Sequence, residues 1–305
     1  MGNQHKGSAS VFYPIGLLLI AMFTLQGAAS LAKSLFSEVG APGVAALRLG
    51  LSTIMLWVMF KPWRLHFSAE QRRPLVFYGL ALGGMNFLFY MALKTIPLGI
   101  GVALEFIGPL TLALANSRKV TDFVWIIIAV SGLWLLLPVH GGSNNIDPLG
   151  AFFALAAGAC WAIYIIFGQK AGAEHGAATV AVGSLVASIV FVPTGLAMAA
   201  PGIWHWSILP VGLLVALLSN AIPYSLEMMA LTRVPARVFG TLMSMEPAVA
   251  AFSGFLFLHE HLSPVQLLGL FAIILASAGS ALTMKPKQPR IKRIKIKKKN
   301  RSHSG

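Results

Sequence analysis

The sequence predicts an all-α membrane protein, with ten transmembrane helices arranged as two inverted five-helix repeats. Three observations carry this expectation. Hydrophobic residues make up 57% of the 305 and charged residues 10%, whereas an ordinary soluble domain is about 25% charged. The apolar residues fall into ten blocks of roughly 18 to 23, the length that crosses about 30 Å of hydrocarbon at 1.5 Å per residue. The second half of the chain also repeats features of the first. A membrane barrel would instead show alternating segments of about ten residues, and a disordered chain would be far more polar. The single cysteine, Cys160, sits inside an apolar block, so no intrachain disulfide forms.

The blocks place spans at 12–32, 42–60, 74–93, 99–117, 121–138, 148–168, 177–199, 207–228, 237–258 and 264–284. Pro42, Pro74, Pro148 and Pro264 stand at or near span starts, where a missing N–H costs nothing. Connections are short, so no soluble domain is inserted. The chain divides into a leading segment 1–11, a first repeat 12–138, a second repeat 148–284 and a basic tail 285–305.

Lys and Arg in the loops orient the spans. With the N-terminus in the cytoplasm, Lys6, Lys61, Arg64, Arg72, Arg73, Arg118, Lys119, Lys170, Arg233 and Arg237 fall inside, against Lys33 and Lys94 outside. Both termini are therefore expected in the cytoplasm. A cleaved signal peptide is the competing reading of the first block, because small residues occur around Ala28 to Ala32; nine spans would then remain. Most of the formal charge of +14 belongs to the tail, which carries ten basic residues and no acid from Lys285 to Arg301. Directly after a span, such a run is expected against anionic headgroups or as a topology signal, not on nucleic acid.

The repeat is visible at an offset of 138 positions: Met91-Ala92-Leu93-Lys94-Thr95-Ile96-Pro97 recurs as Met229-Ala230-Leu231-Thr232-Arg233-Val234-Pro235, and Pro109 recurs as Pro247. A nearby register pairs Glu38, Gly40, Ala41 and Val44 with Glu174, Gly176, Ala177 and Val180. Because five is odd, the second copy enters the membrane from the opposite side, the inverted repeat of many secondary transporters. Two halves that exchange conformations open a central site to each side in turn. Gly79, Gly83 and Gly84, and Gly158 with Ala154 and Ala162, permit the close helix approach that such sliding requires, or ordinary tight packing.

Ionisable groups inside spans are expensive, about 2.5 to 3.5 kcal/mol each on insertion scales, so each must face protein or water. Arg48, Glu105, Glu227 and Glu246 qualify. Counting from the span starts puts Arg48 and Glu105 about 9 Å below the outer boundary, Gln26 and Asn86 at roughly 9 to 12 Å, and Glu246 roughly 13 Å from the inner side. Pro247 follows Glu246 and frees a carbonyl there. Glu227, near a span end, is expected to be interfacial. Arg48 and Glu105 are read either as a buried pair holding two helices together or as a site. In the site reading, Arg48 takes an anionic group such as a carboxylate, and Glu105 or Glu246 an ammonium or a proton. Tyr90, Trp161, Tyr164 and Tyr224 are candidates to line the cavity, although interfacial belts give the same pattern; Trp57, Trp63, Trp204 and Trp206 read as belt residues. His259-Glu260-His261 lacks the i, i+4 histidine spacing of a zinc helix and reads as a solvated loop, so no metal site is expected.

The chain resembles the amino-acid exporters of the EamA family in the drug/metabolite transporter superfamily. The resemblance runs from about residue 12 to 284. It rests on QGAASLAK from Gln26 to Lys33, GAPG from Gly40 to Gly43, ALRL around Arg48, FKPWRL from Phe60 to Leu65 and GGMN ending at Asn86. In the second half it rests on GACWAIY from Gly158 to Tyr164, AGAEHG from Ala171 to Gly176, PYSLEM from Pro223 to Met228 and FGTLMSMEP from Phe239 to Pro247. It implies a five-plus-five fold in a bacterial inner membrane that exports threonine and homoserine, driven by the proton motive force. Arg48 matches an arginine common in the family's second helix, and the tail after Met284 departs from the family pattern. The expected partners are thus a small amino acid, protons and membrane lipids, with no cofactor. Depth and polarity nominate Gln26, Arg48, Asn86, Tyr90, Glu105, Trp161, Tyr164 and Tyr224 for substrate, and Glu246 and then Glu105 for protons. Two rivals stand beside this reading: a broader exporter of drugs or aromatic amino acids, with a larger aromatic cavity, and an intramembrane enzyme. No span holds the paired aspartates, Ser/His couple or HExxH that such an enzyme needs. A purely structural membrane partner would have no use for the intramembrane charges.

Overall fold

Every backbone N–H and C=O in a bilayer needs a partner within its own segment, which leaves helices as the form for long apolar blocks. The computed structural model describes residues 8–115, 120–136, 146–176, 178–231 and 243–283. The basic tail, residues 1–7, Arg118, Lys119, and the repeat residues Thr232 to Pro235 lie outside the described residues. The helices are α1 (Ser8–Ser34), α2 (Phe36–Phe60), α3 (Ala69–Leu93), α4 (Leu98–Glu105), α5 (Ile107–Ala115), α6 (Val120–Leu136), α7 (Pro148–His175), α8 (Ala178–Ala197), α9 (Ile208–Ala216), α10 (Ile222–Leu231), α11 (Glu246–Leu258) and α12 (Pro264–Thr283). Among the described residues, six segments are long and apolar enough to cross a membrane, and four shorter apolar helices accompany them.

Local chemistry sets several starts. Ser68 and Gln71 form a capping box at α3, and Ser263 and Gln266 exchange the same pair of bonds at α12, 2.9 and 3.3 Å. Asp147 caps α7 with Pro148 at its first position. Its carboxyl is held below the usual range by a hydrogen bond with Thr95, then by the amides of Gly150 and Leu149.

Exposure is inverted relative to a soluble bundle. Phe123, Ile127, Val130 and Trp134 on α6, Phe252 and Phe255 on α11, and Leu268 and Phe271 on α12 are exposed, whereas Gln26, Ser52, Asn86 and Ser219 are buried. An apolar outer surface around a polar interior is the arrangement lipid demands.

Three predicted spans are not continuous helices over the described residues: 237–258 has a turn at Ser244 and Met245 just ahead of Pro247, and proline explains the other two departures. The span 99–117 breaks at Phe106 between α4 and α5. Pro109 has no N–H for the carbonyl of Glu105, so that carbonyl leaves the ladder. The span 207–228 carries a π-turn at Leu217–Ala221 between α9 and α10. There Pro223 withholds the N–H that the carbonyl of Ser219 would receive.

The helix pair that carries Glu105 is fixed by glycine. A Cβ on Gly108 would stand 1.8 Å from the carbonyl oxygen of Gly158, and one on Gly158 would stand 2.3 Å from that of Glu105. α5 and α7 therefore cross backbone to backbone, with the freed Glu105 carbonyl turned to Gly158. Gly158→Val is expected to destabilise the bundle by about 1–3 kcal/mol, through overpacking against unyielding backbone. The check is thermal unfolding of purified protein in detergent, where an unchanged midpoint would contradict this crossing.

Candidate functional site

Helices α1, α2, α3, α4, α7, α10 and α11 enclose a cavity of about 40 Å³ lined by Leu25, Gln26, Ala29, Arg48, Met85, Asn86, Phe89, Glu105, Trp161, Tyr224, Glu227 and Glu246. At about 10–15 Å³ per water, this is room for a few solvent molecules. Seven of the nine residues nominated from sequence meet on its wall. The other two stand behind it: Tyr90 lies under Arg48, whose guanidinium carbon is 5.1 Å from the ring centre, and Tyr164 packs on Tyr224 at 6.2 Å and Tyr78 at 4.9 Å.

Arg48 does not pair with Glu105. Its Nη2 donates instead to the carbonyl of Ser219, the acceptor that Pro223 leaves open. The π-turn and the arginine thus explain each other: a broken helix exposes a carbonyl in a dry interior, and a cation covers it. Asn220, in the same turn, donates to Ser52 of α2. The Nε of Arg48 has no partner among the described residues.

Glu246 opens α11, at the first position after the turn at Ser244 and Met245, with Pro247 next in line. Its Oε1 accepts from Nε2 of Gln26 at 3.0 Å, while its Oε2 and the Oε1 of Gln26 have no partner among the described residues. Asn86 and Tyr224 bond to each other at 3.4 Å. Glu227 is a correction: sequence put it at an interface, but α10 runs on to Leu231, which draws Glu227 into the cavity wall at 7% exposure. A signal for it was present, because Asn220, Tyr224 and Glu227 recur at i, i+4 and i+7 and share one helix face.

The wall therefore offers one guanidinium, three carboxyls and two side-chain amides, with an unpartnered donor on Arg48 and unpartnered acceptors on Gln26 and Glu246. That set matches a small molecule carrying both a carboxylate and an ammonium.

The other nominated motif resolves differently. His259 and His261 are exposed, but Glu260 between them is not a solvated loop residue. It forms the one ion pair found among the described residues, with Lys33 at 2.6 Å, and accepts from the amide of Leu98 at 2.8 Å.

The chain is 62% identical over 286 residues to the threonine/homoserine exporter RhtA of Escherichia coli strain K12, covering 94% of this chain and 97% of that one. The chain belongs to the EamA-like transporter family. The family's pattern itself matches residues 148–282, the stretch that holds Trp161, Tyr224, Glu227 and Glu246. RhtA of Salmonella typhimurium strain LT2 is likewise 62% identical, over 287 residues with the same coverage. A more distant relative, the uncharacterized transporter YwfM of Bacillus subtilis, is 28% identical and covers 86% of this chain and 91% of its own. A solved crystal structure superposes with a TM-score of 0.60 at 17% identity, over 88% of this chain and 98% of that one, and shares the fold. As an EamA-like transporter with helices long and apolar enough to span it, the chain is a multi-pass membrane protein.

Proposed function

We propose that the protein exports threonine, homoserine and comparable small polar amino acids across a bacterial inner membrane, coupled to protons by alternating access. Ten spans form two inverted five-helix repeats, with both termini in the cytoplasm. The observation that carries the substrate class is the set of open polar atoms in the cavity. The Nε of Arg48 takes the carboxylate, Glu246 Oε2 and Gln26 Oε1 take the ammonium, and Asn86 or Tyr224 takes the hydroxyl. The names of the two RhtA relatives point to the same substrates.

The repeat reading is supported by which helices touch. If α1 to α6 and α7 to α12 are copies, then α3 on α7 corresponds to α10 on α1, α3 on α8 to α9 on α2, and α5 on α7 to α11 on α1. All of these contacts occur, and α2 meets α8, α4 meets α11, and α6 meets α12. Asn86 and Tyr224, 138 positions apart, touch each other. Positions related by a two-fold axis meet only where they lie on it. The cavity thus sits on the axis, where a carrier needs its site.

Three carboxyls beside one guanidinium leave surplus negative charge that lipid does not tolerate, so protons or a substrate ammonium must offset it. Counterflow of labelled threonine in proteoliposomes tests the substrate. Homoserine is expected to compete, whereas phenylalanine and a cationic dye are not; equal competition by either would favour the broader exporter. Collapse of the proton gradient is expected to stop uphill export, and an unaltered rate would reject the coupling.

A further inference from the structure

Lys33 lies in the last turn of α1, on the same face as Gln26 and Ala29 of the cavity wall. Its Nζ donates to Glu260 Oε1 at 2.6 Å and to the carbonyl of Ile96 at 3.0 Å. Glu260 sits in the turn between α11 and α12, and its Oε2 accepts from the amide of Leu98, the first residue of α4. Three elements are thereby tied at one point: the end of α1, the end of α11 and the start of α4. These are the helices that carry Gln26, Glu246 and Glu105.

The seam between α1 and α11 has a second tie, the bond from Gln26 to Glu246. On α1 the two ties are seven residues apart, about 10 Å. Between them lies Ala29, one turn below Lys33 and exposed to the cavity.

We infer that Lys33 and Glu260 are the outer latch of the carrier: their ion pair closes the seam between α1, α4 and α11, and it must open in each cycle for substrate to leave. The inference rests on the proposed orientation, which puts this end of the bundle outside. A permanent staple would be dry, because breaking a buried pair strands two charges. This pair is only partly buried, with side chains 20% and 15% exposed, so water reaches one side of it and its separation costs less than that of a fully buried pair. The lower tie connects the latch to the cargo. A substrate ammonium bridging Glu246 Oε2 and Gln26 Oε1 sits at this tie, on the same seam that Lys33 and Glu260 close above it.

The test uses the full-length protein with Cys160→Ala, so that Ala29→Cys carries the sole thiol. In intact cells, a membrane-impermeant methanethiosulfonate added outside is expected to label that thiol roughly threefold faster when Lys33→Met or Glu260→Gln removes the pair, the scale of a part-exposed ion pair. The swap Lys33→Glu with Glu260→Lys is expected to recover only part of the closure, because a lysine cannot accept from the amide of Leu98. Equal labelling rates with and without the pair overturn the latch. Labelling that rises only for reagent reaching the cytoplasmic face overturns its outward placement while leaving the amino-acid reading intact. As a second measurement, Lys33→Cys with Glu260→Cys, joined by a short bifunctional thiol reagent, is expected to lose export until the link is reduced. Export that continues while the two sites are linked overturns the proposal. Labelling reads outward access whatever the cargo, so a wrong substrate and a wrong latch give different results.

Discussion

Arg48→Ala is expected to lower threonine counterflow by about 30-fold or more, the loss typical of removing one partner from a desolvated charge contact. The side chain has two tasks, and alanine removes both. It covers the Ser219 carbonyl that Pro223 leaves open, and it lines the cavity with an Nε that has no partner among the described residues. Losing the first task leaves a buried acceptor unpaired, at about 1–3 kcal/mol, so the variant should also unfold at lower temperature. A second substitution separates the two tasks. Pro223→Ala returns the missing N–H, and the carbonyl can be paired within its own helix. In Arg48→Ala with Pro223→Ala, stability is therefore expected to recover while transport does not. Transport that recovers together with stability would reduce Arg48 to a structural cap and remove it from the site. Arg48→Lys should fall between the two, because an ammonium can cover the carbonyl but lacks the planar fork that grips a carboxylate.

The site's depth was legible in the sequence and its wiring was not. A charge inside a membrane-length block must face inward, and a rise of 1.5 Å per residue fixes how deep it lies. That is enough to bring Gln26, Arg48, Asn86, Glu105, Trp161, Tyr224 and Glu246 to one cavity from several separate helices. Partners depend on rotation about each helix axis and on where a helix breaks. A block that is apolar all round gives no phase, so the buried pair that was one of two readings of Arg48 and Glu105 does not form, and Arg48 bonds a carbonyl in a different half of the chain. The breaks had a signal in Pro109 and Pro223, since each removes one bond four residues upstream. Glu227 was misplaced because the span was ended at residue 228, whereas α10 is helical through Leu231. Lys33 and Glu260 are 227 positions apart, and nothing in either segment alone announces their contact.

Glu246→Gln is expected to abolish uphill, gradient-driven export, by at least about tenfold, while leaving downhill exchange of threonine measurable. The substitution nearly preserves shape, and its amide can still bond to Gln26, so the seam between α1 and α11 stays tied at the cavity. What it removes is a group able to bind and release a proton, together with half of the electrostatic hold on an ammonium. Among the three carboxyls of the wall, Glu246 is the one with a fixed bond on one oxygen and an open second oxygen. It also begins its helix, beside Pro247, in the wall of the cavity. Proton uptake measured with a pH dye during threonine efflux from proteoliposomes reads the coupling directly. Loss of uptake in Glu246→Gln, with uptake retained in Glu227→Gln, assigns the proton to Glu246. Wild-type uptake in Glu246→Gln would move that role to Glu105 or Glu227, and the same assay on their glutamine variants would decide between them.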